Sequence, residues 1–290
     1  MDRGYQEAIT YSFVAPELNA SFDPEHAAVA LANPLSEDMG VMRTSLWPGL
    51  IRALQYNRNR QQQRVRLFET GLRFRGQPDA LEQTPMIAGM AAGRAQPEHW
   101  DGASRSLDFF DAKADVEALL SLGGGVGAYD FQPSEHPALH PGQSARIERD
   151  GELAGWLGGL HPRLLQQLEL EGPVYAFELA LPVVQQDQRP SFQPLSRYPA
   201  IRRDLAIVVE ESVSAGAIAR VATEAAGELV RDWVIFDVYR GKGVPEGCKS
   251  VAMGLILQDV SRTLTDADIE STVTGVICRL QQELNAELRE

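Results

Sequence analysis

The sequence predicts an α+β fold in two domains. Its 290 residues leave room for two domains of ordinary size. A polar, proline-containing segment separates two strongly patterned regions, as an interdomain linker does. Helix-like and strand-like stretches mix irregularly before this segment and follow a β-α-β-β-α-β order after it. We therefore place the domains at residues 1–187 and 197–290, with a linker at residues 188–196.

In the first domain, the patterning predicts an antiparallel sheet decorated by helices. A helix is predicted at Met42–Tyr56, with Ser45 as its N-cap and Pro48 in its first turn. Strands are predicted at Glu7–Phe13, Val65–Phe74, Ala145–Ile147, Leu153–Leu157 and Val174–Leu181, and further helices at Ala112–Leu122 and Pro162–Leu168. Because helices do not alternate regularly with strands, a parallel α/β sheet is disfavoured.

The second domain is predicted to be ferredoxin-like. Thr265 and Asp268 form a capping box that opens a long helix, and Ser214 caps another helix at Ala215–Ala226. The predicted strands are Asp204–Glu210, Trp233–Tyr239, Ser250–Gln258 and a short edge strand near Ala286–Arg289. This order of elements packs both helices on one face of the sheet and leaves the other face open.

Alternation along the strands predicts which side chains point to that open face. In Trp233–Tyr239, the sequence favours Val234, Phe236 and Val238 as the core face, which sends Trp233, Ile235, Asp237 and Tyr239 outward. In the partner strand, Ser250, Ala252 and Gly254 are predicted to point outward. An aromatic ring, a carboxylate and a hydroxyl together suit the binding of an unpaired base. The alternative is a solvated face with an incidental tyrosine.

Composition and charge restrict the class of protein. Net charge is −13, so a polybasic surface that coats nucleic acid is excluded, although a specific local RNA contact is not. Cys248 and Cys278 cannot build a disulfide framework. The chain has neither an apolar run of membrane-spanning length nor an N-terminal signal pattern. We expect a soluble, cytoplasmic protein that does not bind membranes.

The sequence contains no motif that defines a catalytic or metal site. The glycine-rich stretch Gly123–Gly127 follows a predicted helix instead of a strand, so it is interpreted as a surface loop. His136 and His140 are four residues apart, but Pro137 prevents the helix that would align them on a metal ion. We therefore expect no catalytic residue and no metal ligand in this chain.

Several segments resemble the C-terminal half of the bacterial phenylalanyl-tRNA synthetase β subunit family. The match is collinear over essentially the whole chain. The segments that carry it are Gly4–Phe13, Asn33–Ser36, Met42–Leu50, Phe68–Gly71, Asp108–Glu117, His140–Gly142, Gly158–Pro162, Ser196–Pro199, Arg203–Leu205 and Phe236–Gly241.

The resemblance implies that the first domain is a class II synthetase module that has lost its chemistry. Arg66–Glu69 is a degenerate form of the family's Arg-x-Glu strand, and the late strand–helix motif with an ATP-contacting arginine is missing. Activity would belong to a separate α subunit, which this module supports in an (αβ)₂ heterotetramer. The holoenzyme would use ATP and Mg²⁺, whereas this fragment would hold no cofactor.

The resemblance further implies that the second domain binds the anticodon of tRNA(Phe). By motif, Asp237, Tyr239 and Ser250 match the family positions that read the first anticodon base, a guanine. Possible phosphate contacts are Arg240, Lys242, Lys249 and Arg262, for which a solvated rim is the alternative. The three base-reading positions are the same ones that strand alternation places on the open face.

Two other functions remain open at this stage. A self-sufficient single-chain phenylalanyl-tRNA synthetase couples a class II core to a similar anticodon domain, although the missing ATP-binding arginine motif disfavours it. A protein-interaction scaffold without an RNA role agrees with the net charge of −13. Because the family has much more sequence upstream, including editing and Mg²⁺-associated modules, we expect this chain to be a fragment.

Overall fold

The computed structural model describes residues 3–100, 105–123, 125–185 and 195–289. The chain divides into two compact units, Met1–Pro190 and Ser191–Glu290, and each has its own hydrophobic packing. Residues 188–194 of the predicted linker lie outside the described residues. Within the described ranges, no helix has both the length and the apolar character that a membrane crossing requires.

The first unit contains one seven-stranded sheet and two further short strands that pair with each other. Its strands are β1 (Gln6–Glu7), β2 (Phe13–Val14), β3 (Val41–Met42), β4 (Val65–Gln77), β5 (Ala80–Ala92), β6 (Tyr129–Pro133), β7 (Leu139–Arg149), β8 (Glu152–Leu160) and β9 (Val174–Ala180). Its helices are α1 (Pro16–Phe22), α2 (Trp47–Arg58), α3 (Phe109–Leu120), α4 (Pro162–Gln167) and α5 (Leu181–Val184). The sheet order is β1-β4-β5-β9-β8-β7-β6, with β1 parallel to β4 and the other neighbours antiparallel, while β2 and β3 pair separately.

Two hydrophobic cores lie on the two faces of this sheet, because successive residues of a strand point to opposite sides. On one face, α2 buries Trp47 and Leu50 against the sheet. On the other face, α3 buries Val116. Strand β5 contributes Met90 to the first core and Ala91 to the second. The predicted class of antiparallel sheet with helices is confirmed for this unit.

One predicted strand of the first unit is absent, and one long strand was not expected from the sequence. Strand β5 was not predicted, because Pro85 and Gly89 give it a poor strand composition. It is nevertheless extended since it pairs along its length with β4 and over its second half with β9. The continuous strand predicted at Glu7–Phe13 is absent, and only its two ends belong to β1 and β2.

Helix α2 begins later than predicted. The prediction used Ser45 as N-cap, but the helix starts at Trp47 and its N-cap residue, Leu46, provides no side-chain hydrogen bond. Ser45 still contacts the first turn, since its hydroxyl accepts a hydrogen bond from the Trp47 N–H over 3.1 Å. The same hydroxyl donates to Glu178 in β9 over 3.0 Å. A tertiary contact therefore uses the group that local capping rules assigned to the helix.

The second unit confirms the ferredoxin-like order. Its elements are β10 (Ile201–Glu210), α6 (Ala215–Ala226), β11 (Val230–Tyr239), β12 (Cys248–Leu257), α7 (Asp266–Leu284) and β13 (Glu287–Leu288). The sheet order is β11-β12-β10-β13, with each neighbouring pair antiparallel. Ile218 of α6 and Leu280 of α7 pack with Met253 and Leu255 of β12, so both helices cover one face. The predicted capping box of Thr265 and Asp268 begins α7.

Candidate nucleic-acid interface

The face of the second sheet opposite α6 and α7 carries the predicted base-binding residues. Because Met253 and Leu255 lie in the core beneath the helices, their neighbours Ala252 and Gly254 point to the other side. We call this side the open face. By register it comprises Arg202, Asp204, Ala206 and Val208 of β10, Ser250, Ala252 and Gly254 of β12, and Val234, Phe236, Asp237 and Tyr239 of β11.

A β-bulge in β11 decides which of its residues reach the open face. The register shifts between Ile235, opposite Met253, and Asp237, opposite Ala252. A bulge inserts one extra residue and thereby reverses the alternation beyond it. The predicted core face is therefore wrong before the bulge, where Trp233 and Ile235 pack against the core. It is right after the bulge, where Asp237 lies on the open face.

Asp237, Tyr239 and Ser250 lie close together at one end of the open face. Tyr239 is directly opposite Ser250, and Asp237 is opposite Ala252. The Tyr239 ring is 38 % exposed, whereas Ser250 is only 3 % exposed. Ala252 and its register partner Ala206 provide a floor of small side chains beside this group. The structure thus brings the three predicted residues together on the side away from the helices.

The loop after β11 holds the Tyr239 ring in position. The Tyr239 hydroxyl donates to the backbone carbonyl of Lys242 over 3.4 Å. Gly241 lies against the same hydroxyl, and a Cβ atom added there would be 2.8 Å from the oxygen. Gly241 also has a φ of 154°, which a residue with a side chain rarely adopts. Glycine is therefore required at this position for the ring to rest against the loop.

Arg289, a cation that the sequence analysis did not identify, lies over the Tyr239 ring. The guanidinium of Arg289 is 4.9 Å from the ring centroid. Arg289 follows β13, where its N–H donates to the carbonyl of Ala206, whereas Tyr239 belongs to the opposite edge strand β11. The contact therefore spans β10 and β12, above the small side chains of Ala206 and Ala252. Only the pairing of β13 with β10 reveals this neighbourhood, since 50 residues separate Arg289 from Tyr239 in the sequence.

The four cations predicted to contact phosphate do not form one group. Arg240 is paired with Glu211 over 3.1 Å, and its hydrogen bond holds the pKa of that carboxyl below the ordinary value. The ammonium of Lys249 donates to the Glu211 carbonyl over 2.8 Å. Lys242 lies in the loop that supports Tyr239. Three of the four are therefore near the same end of the sheet.

Arg262 lies outside this neighbourhood of the other three cations, and its contact with phosphate stays a prediction. It follows the far end of β12, whereas Ser250 lies near the beginning of that strand. Its guanidinium pairs with Asp268 over 2.9 Å at the start of α7. Its pairing with Asp268, a member of the capping box, explains the position of Arg262 without a nucleic acid.

In the first unit, the acidic and basic side chains near the degenerate Arg-x-Glu strand are paired with one another. Arg66 contacts Asp115 over 2.5 Å, and both side chains are buried. Asp115 also accepts hydrogen bonds from Arg3 over 3.0 Å and from the Tyr5 hydroxyl over 3.1 Å. Burial, and secondarily the charge of Asp115, raise the pKa of Tyr5 above its ordinary value. The phenol therefore stays protonated as a donor to the carboxylate.

Two further carboxylates of this unit also have hydrogen-bond or ion-pair partners within the protein. Glu69, the last residue of the same strand motif, pairs with Arg43 over 2.7 Å, and both are buried. Glu178 accepts from the Leu46 N–H over 2.7 Å, and burial raises the pKa of its carboxyl above the ordinary value. These contacts tie β4 and β9 to the segment before α2. Their geometry is that of structural connections between elements.

The described residues contain no cluster of three or more histidine, cysteine or acidic side chains that could hold a metal ion. His136 lies between the rings of Trp47 and Trp156, with centroid distances of 5.2 Å and 4.9 Å. His161 caps α4 by accepting a hydrogen bond from the Arg163 N–H. Both histidines thus have a structural position.

The first unit exposes an apolar surface beside α2. A cleft of about 550 Å³ lies between this helix and the segment around β2, and its lining includes Thr10, Tyr11 and Tyr56. Tyr11 and Tyr56 are both more than half exposed, and the adjacent Ile9 is 91 % exposed. Tyr11 and Tyr56 line the same cleft, and exposed apolar groups that share a cleft are typical of surfaces that bind another protein.

Comparisons with known proteins agree over the whole chain. The family model described as the phenylalanyl tRNA synthetase beta chain CLM domain matches residues 1–181. The model described as the ferredoxin-fold anticodon binding domain matches residues 196–289. These matches confirm the resemblance stated from the sequence and the ferredoxin-like fold of the second unit.

Curated relatives with the printed name phenylalanine–tRNA ligase beta subunit are similar to this chain. The protein from Pseudomonas fluorescens strain Pf-5 is 53 % identical over 287 residues, and that from Methylococcus capsulatus is 49 % identical over 289 residues. These alignments cover 99 % and 100 % of this chain but 36 % of each relative. The chain thus spans about a third of the length of the curated relatives it matches.

Proposed function

The chain belongs to the family of phenylalanyl-tRNA synthetase beta chains, and from this premise we propose that it is the C-terminal part of a phenylalanine–tRNA ligase β subunit. In this proposal the second unit binds the anticodon of tRNA(Phe). The first unit supports a separate catalytic α subunit in an (αβ)₂ assembly. The assembled enzyme uses ATP and Mg²⁺ to attach phenylalanine to the tRNA.

The observation that carries the anticodon proposal is the grouping of Asp237, Tyr239 and Ser250 on the open face. A carboxylate accepts hydrogen bonds from the N1–H and N2–H₂ groups of guanine, which adenine does not offer in that arrangement. The Tyr239 ring provides a stacking surface. Because Ser250 is 3 % exposed, its hydroxyl can bond a base edge only after the groups that bury it move aside. For a base to stack on Tyr239, the guanidinium of Arg289 must move aside or lie on the other side of the base.

Binding of an anticodon stem-loop to the full 290-residue chain tests this proposal. We expect Tyr239→Ala to weaken binding by about 1–3 kcal/mol, because one base loses its stacking surface. Asp237→Asn should reduce the preference for guanine over adenine at the first anticodon position, since the amide replaces an acceptor by a donor. All titrations are made at one fixed salt concentration.

Arg220→Ala is the matched control. Arg220 is an exposed cation on α6, on the side of the sheet away from the open face. Its removal should leave the affinity for the stem-loop nearly unchanged, because the variant loses only one distant charge. Equal affinities of the Tyr239→Ala variant and the parent would contradict the proposal and would favour the protein-interaction scaffold.

The first unit is proposed to be non-catalytic because its strand-motif arginine is already occupied. Adenylate formation needs a cation beside the ATP phosphates as its main electrostatic stabiliser. Arg66 is buried against Asp115 and also donates to the Ala95 carbonyl over 3.2 Å. We expect no phenylalanine-dependent ATP–pyrophosphate exchange by the purified chain alone. Exchange above background would support the self-sufficient synthetase instead.

The apolar surface of Ile9, Tyr11 and Tyr56 is the proposed contact with the α subunit. Tyr56 of this surface belongs to α2, and Ile9 and Tyr11 belong to the segment that precedes β2. Tyr11→Asp places a charge on an exposed position, so we expect the fold to persist while co-purification with the α subunit is lost. Leu122→Asp, at an exposed position after α3, is the control and should retain co-purification.

A further inference from the structure

Phe236, an aromatic residue of β11, is exposed to solvent. Phe236 follows Ile235, which packs against the core, so alternation places Phe236 on the open face, where it is 52 % exposed. Val234, on the same face, lies opposite Gly254 and is also exposed. An exposed aromatic ring on a face that offers a second aromatic ring is a recurring arrangement of sheets that bind single-stranded RNA.

A guanidinium is held over this ring. The Arg202 guanidinium carbon lies 5.2 Å from the Phe236 centroid. Asp204 accepts a hydrogen bond from the Arg202 Nε over 2.7 Å, which fixes the direction of the side chain. The Arg202 side chain passes over Gly254, since a Cβ added to this glycine would come within 2.7 Å of the same nitrogen. The absence of a side chain at Gly254 therefore makes room for the Arg202–Phe236 pair.

The open face thus carries two aromatic rings, each with a guanidinium above it. Phe236 and Tyr239 are three residues apart in β11, and a strand rises about 3.3 Å per residue, so their backbones are at most about 10 Å apart and closer because of the bulge. Successive bases of a single strand stack on aromatic side chains arranged in this way along a binding surface. The two pairs, Phe236 with Arg202 and Tyr239 with Arg289, repeat the same chemistry along one strand.

We propose that Phe236 and Arg202 form a second base-stacking site, which takes the unpaired RNA nucleotide next to the one bound at Asp237, Tyr239 and Ser250. This inference rests on the proposed function, because it requires RNA on the open face. Stacking on a ring tolerates any base. The second site therefore contributes affinity with little choice of base, whereas the Asp237 group selects the base.

The test combines protein variants with anticodon stem-loops that lack a single base. Phe236→Ala should weaken binding of the complete stem-loop by about 5- to 150-fold, which corresponds to the loss of one stacked base. The Phe236→Ala variant and the parent should bind with equal affinity to a stem-loop that lacks the base of this adjacent nucleotide. Tyr239→Ala should still weaken binding of that stem-loop, because its own base is present.

Arg220→Ala is again the matched control, since Arg220 is exposed on α6, on the side of the sheet away from the open face. Its affinity should equal that of the parent. Circular dichroism of each variant verifies the fold, and Phe236→Trp, which keeps a ring, should retain binding. A Phe236→Ala affinity equal to the parent's, together with a loss for Tyr239→Ala, overturns the second site alone. Parental affinity for both variants overturns the anticodon proposal itself.

Discussion

In the first unit, the guanidinium of Arg66 is buried beside the equally buried Asp115, whereas in the second unit Arg202 and Arg289 lie over exposed rings. A buried ion pair has exchanged its hydration for fixed partners, and it cannot leave them at low cost. An exposed cation over a ring keeps part of its hydration, and solvent weakens the exposed pair of Arg202 with Asp204, so these cations can move to a ligand at lower cost. The difference separates side chains that connect structural elements from side chains that are available for binding.

The largest expected effect is the loss of the Asp115 carboxylate. Asp115→Ala leaves Arg66 buried without its partner, and Arg3 and Tyr5 also lose theirs. Such a break typically costs about 3–5 kcal/mol in the free energy of unfolding. Chemical denaturation, followed by a signal that arises from the first unit, measures this change in the free energy of unfolding.

Arg105→Ala is the comparison for that variant. Arg105 pairs with Asp111 over 2.5 Å, but the arginine is more than half exposed. Solvent screens such a pair, so we expect a much smaller loss of stability. Equal losses for the two variants would contradict the distinction between buried and exposed pairs.

The next effect concerns pH, through a histidine of the first unit. Burial between Trp47 and Trp156 lowers the pKa of His136 from 6.5 to about 4. Between these pH values the imidazole is therefore protonated in the unfolded chain and neutral in the folded chain. The free energy of unfolding consequently decreases as the pH falls through this window. The loss is on the order of 3 kcal/mol by pH 4 and is absent above pH 7.

Thermal unfolding at a series of pH values checks the contribution of His136. The variant His136→Phe keeps a ring between the two tryptophans and cannot titrate. Its stability should fall less steeply between pH 6.5 and 4 than that of the parent. Parallel curves for parent and variant would show that other groups cause the acid sensitivity.

A smaller effect is expected at the beginning of α7 in the second unit. The Thr265 side chain accepts from the Asp268 N–H, and its hydroxyl and N–H hold the pKa of Asp268 at about 2. Thr265→Ala removes the cap and should lower the free energy of unfolding by about 1 kcal/mol. Thr265→Ser keeps the hydroxyl and should restore most of that loss. Denaturant midpoints of the two variants decide the question.

The smallest change in stability is expected for Arg289→Ala, which removes a cation from an exposed ring. Such a contact contributes about 0.5–1 kcal/mol. If the exposed cations of the open face serve binding, stem-loop affinity should change more than stability does. A stability loss comparable with that of Asp115→Ala, with unchanged affinity, would contradict the comparison between the two units.

The amino-acid sequence by itself determined the elements whose signals are local. The capping residues Thr265 and Ser214 mark the beginnings of α7 and α6, and the 3.6-residue period of their apolar side chains gives the faces that pack on the sheet. The order of elements then predicts the ferredoxin-like fold and its open face. The motif around Asp237 and Tyr239 and the family resemblance were also readable from the residues alone.

Only the tertiary structure decided the features that depend on pairing between distant segments. Strand β5 is extended because it bonds to β4 and β9, and its own composition does not display those partners. The bulge after Ile235 leaves both Phe236 and Asp237 on the open face, since an extra residue interrupts alternation where the pairing with β12 shifts. Arg289 meets Tyr239 across two strands for the same reason: hydrogen bonding between strands, and not sequence proximity, sets which side chains share a surface.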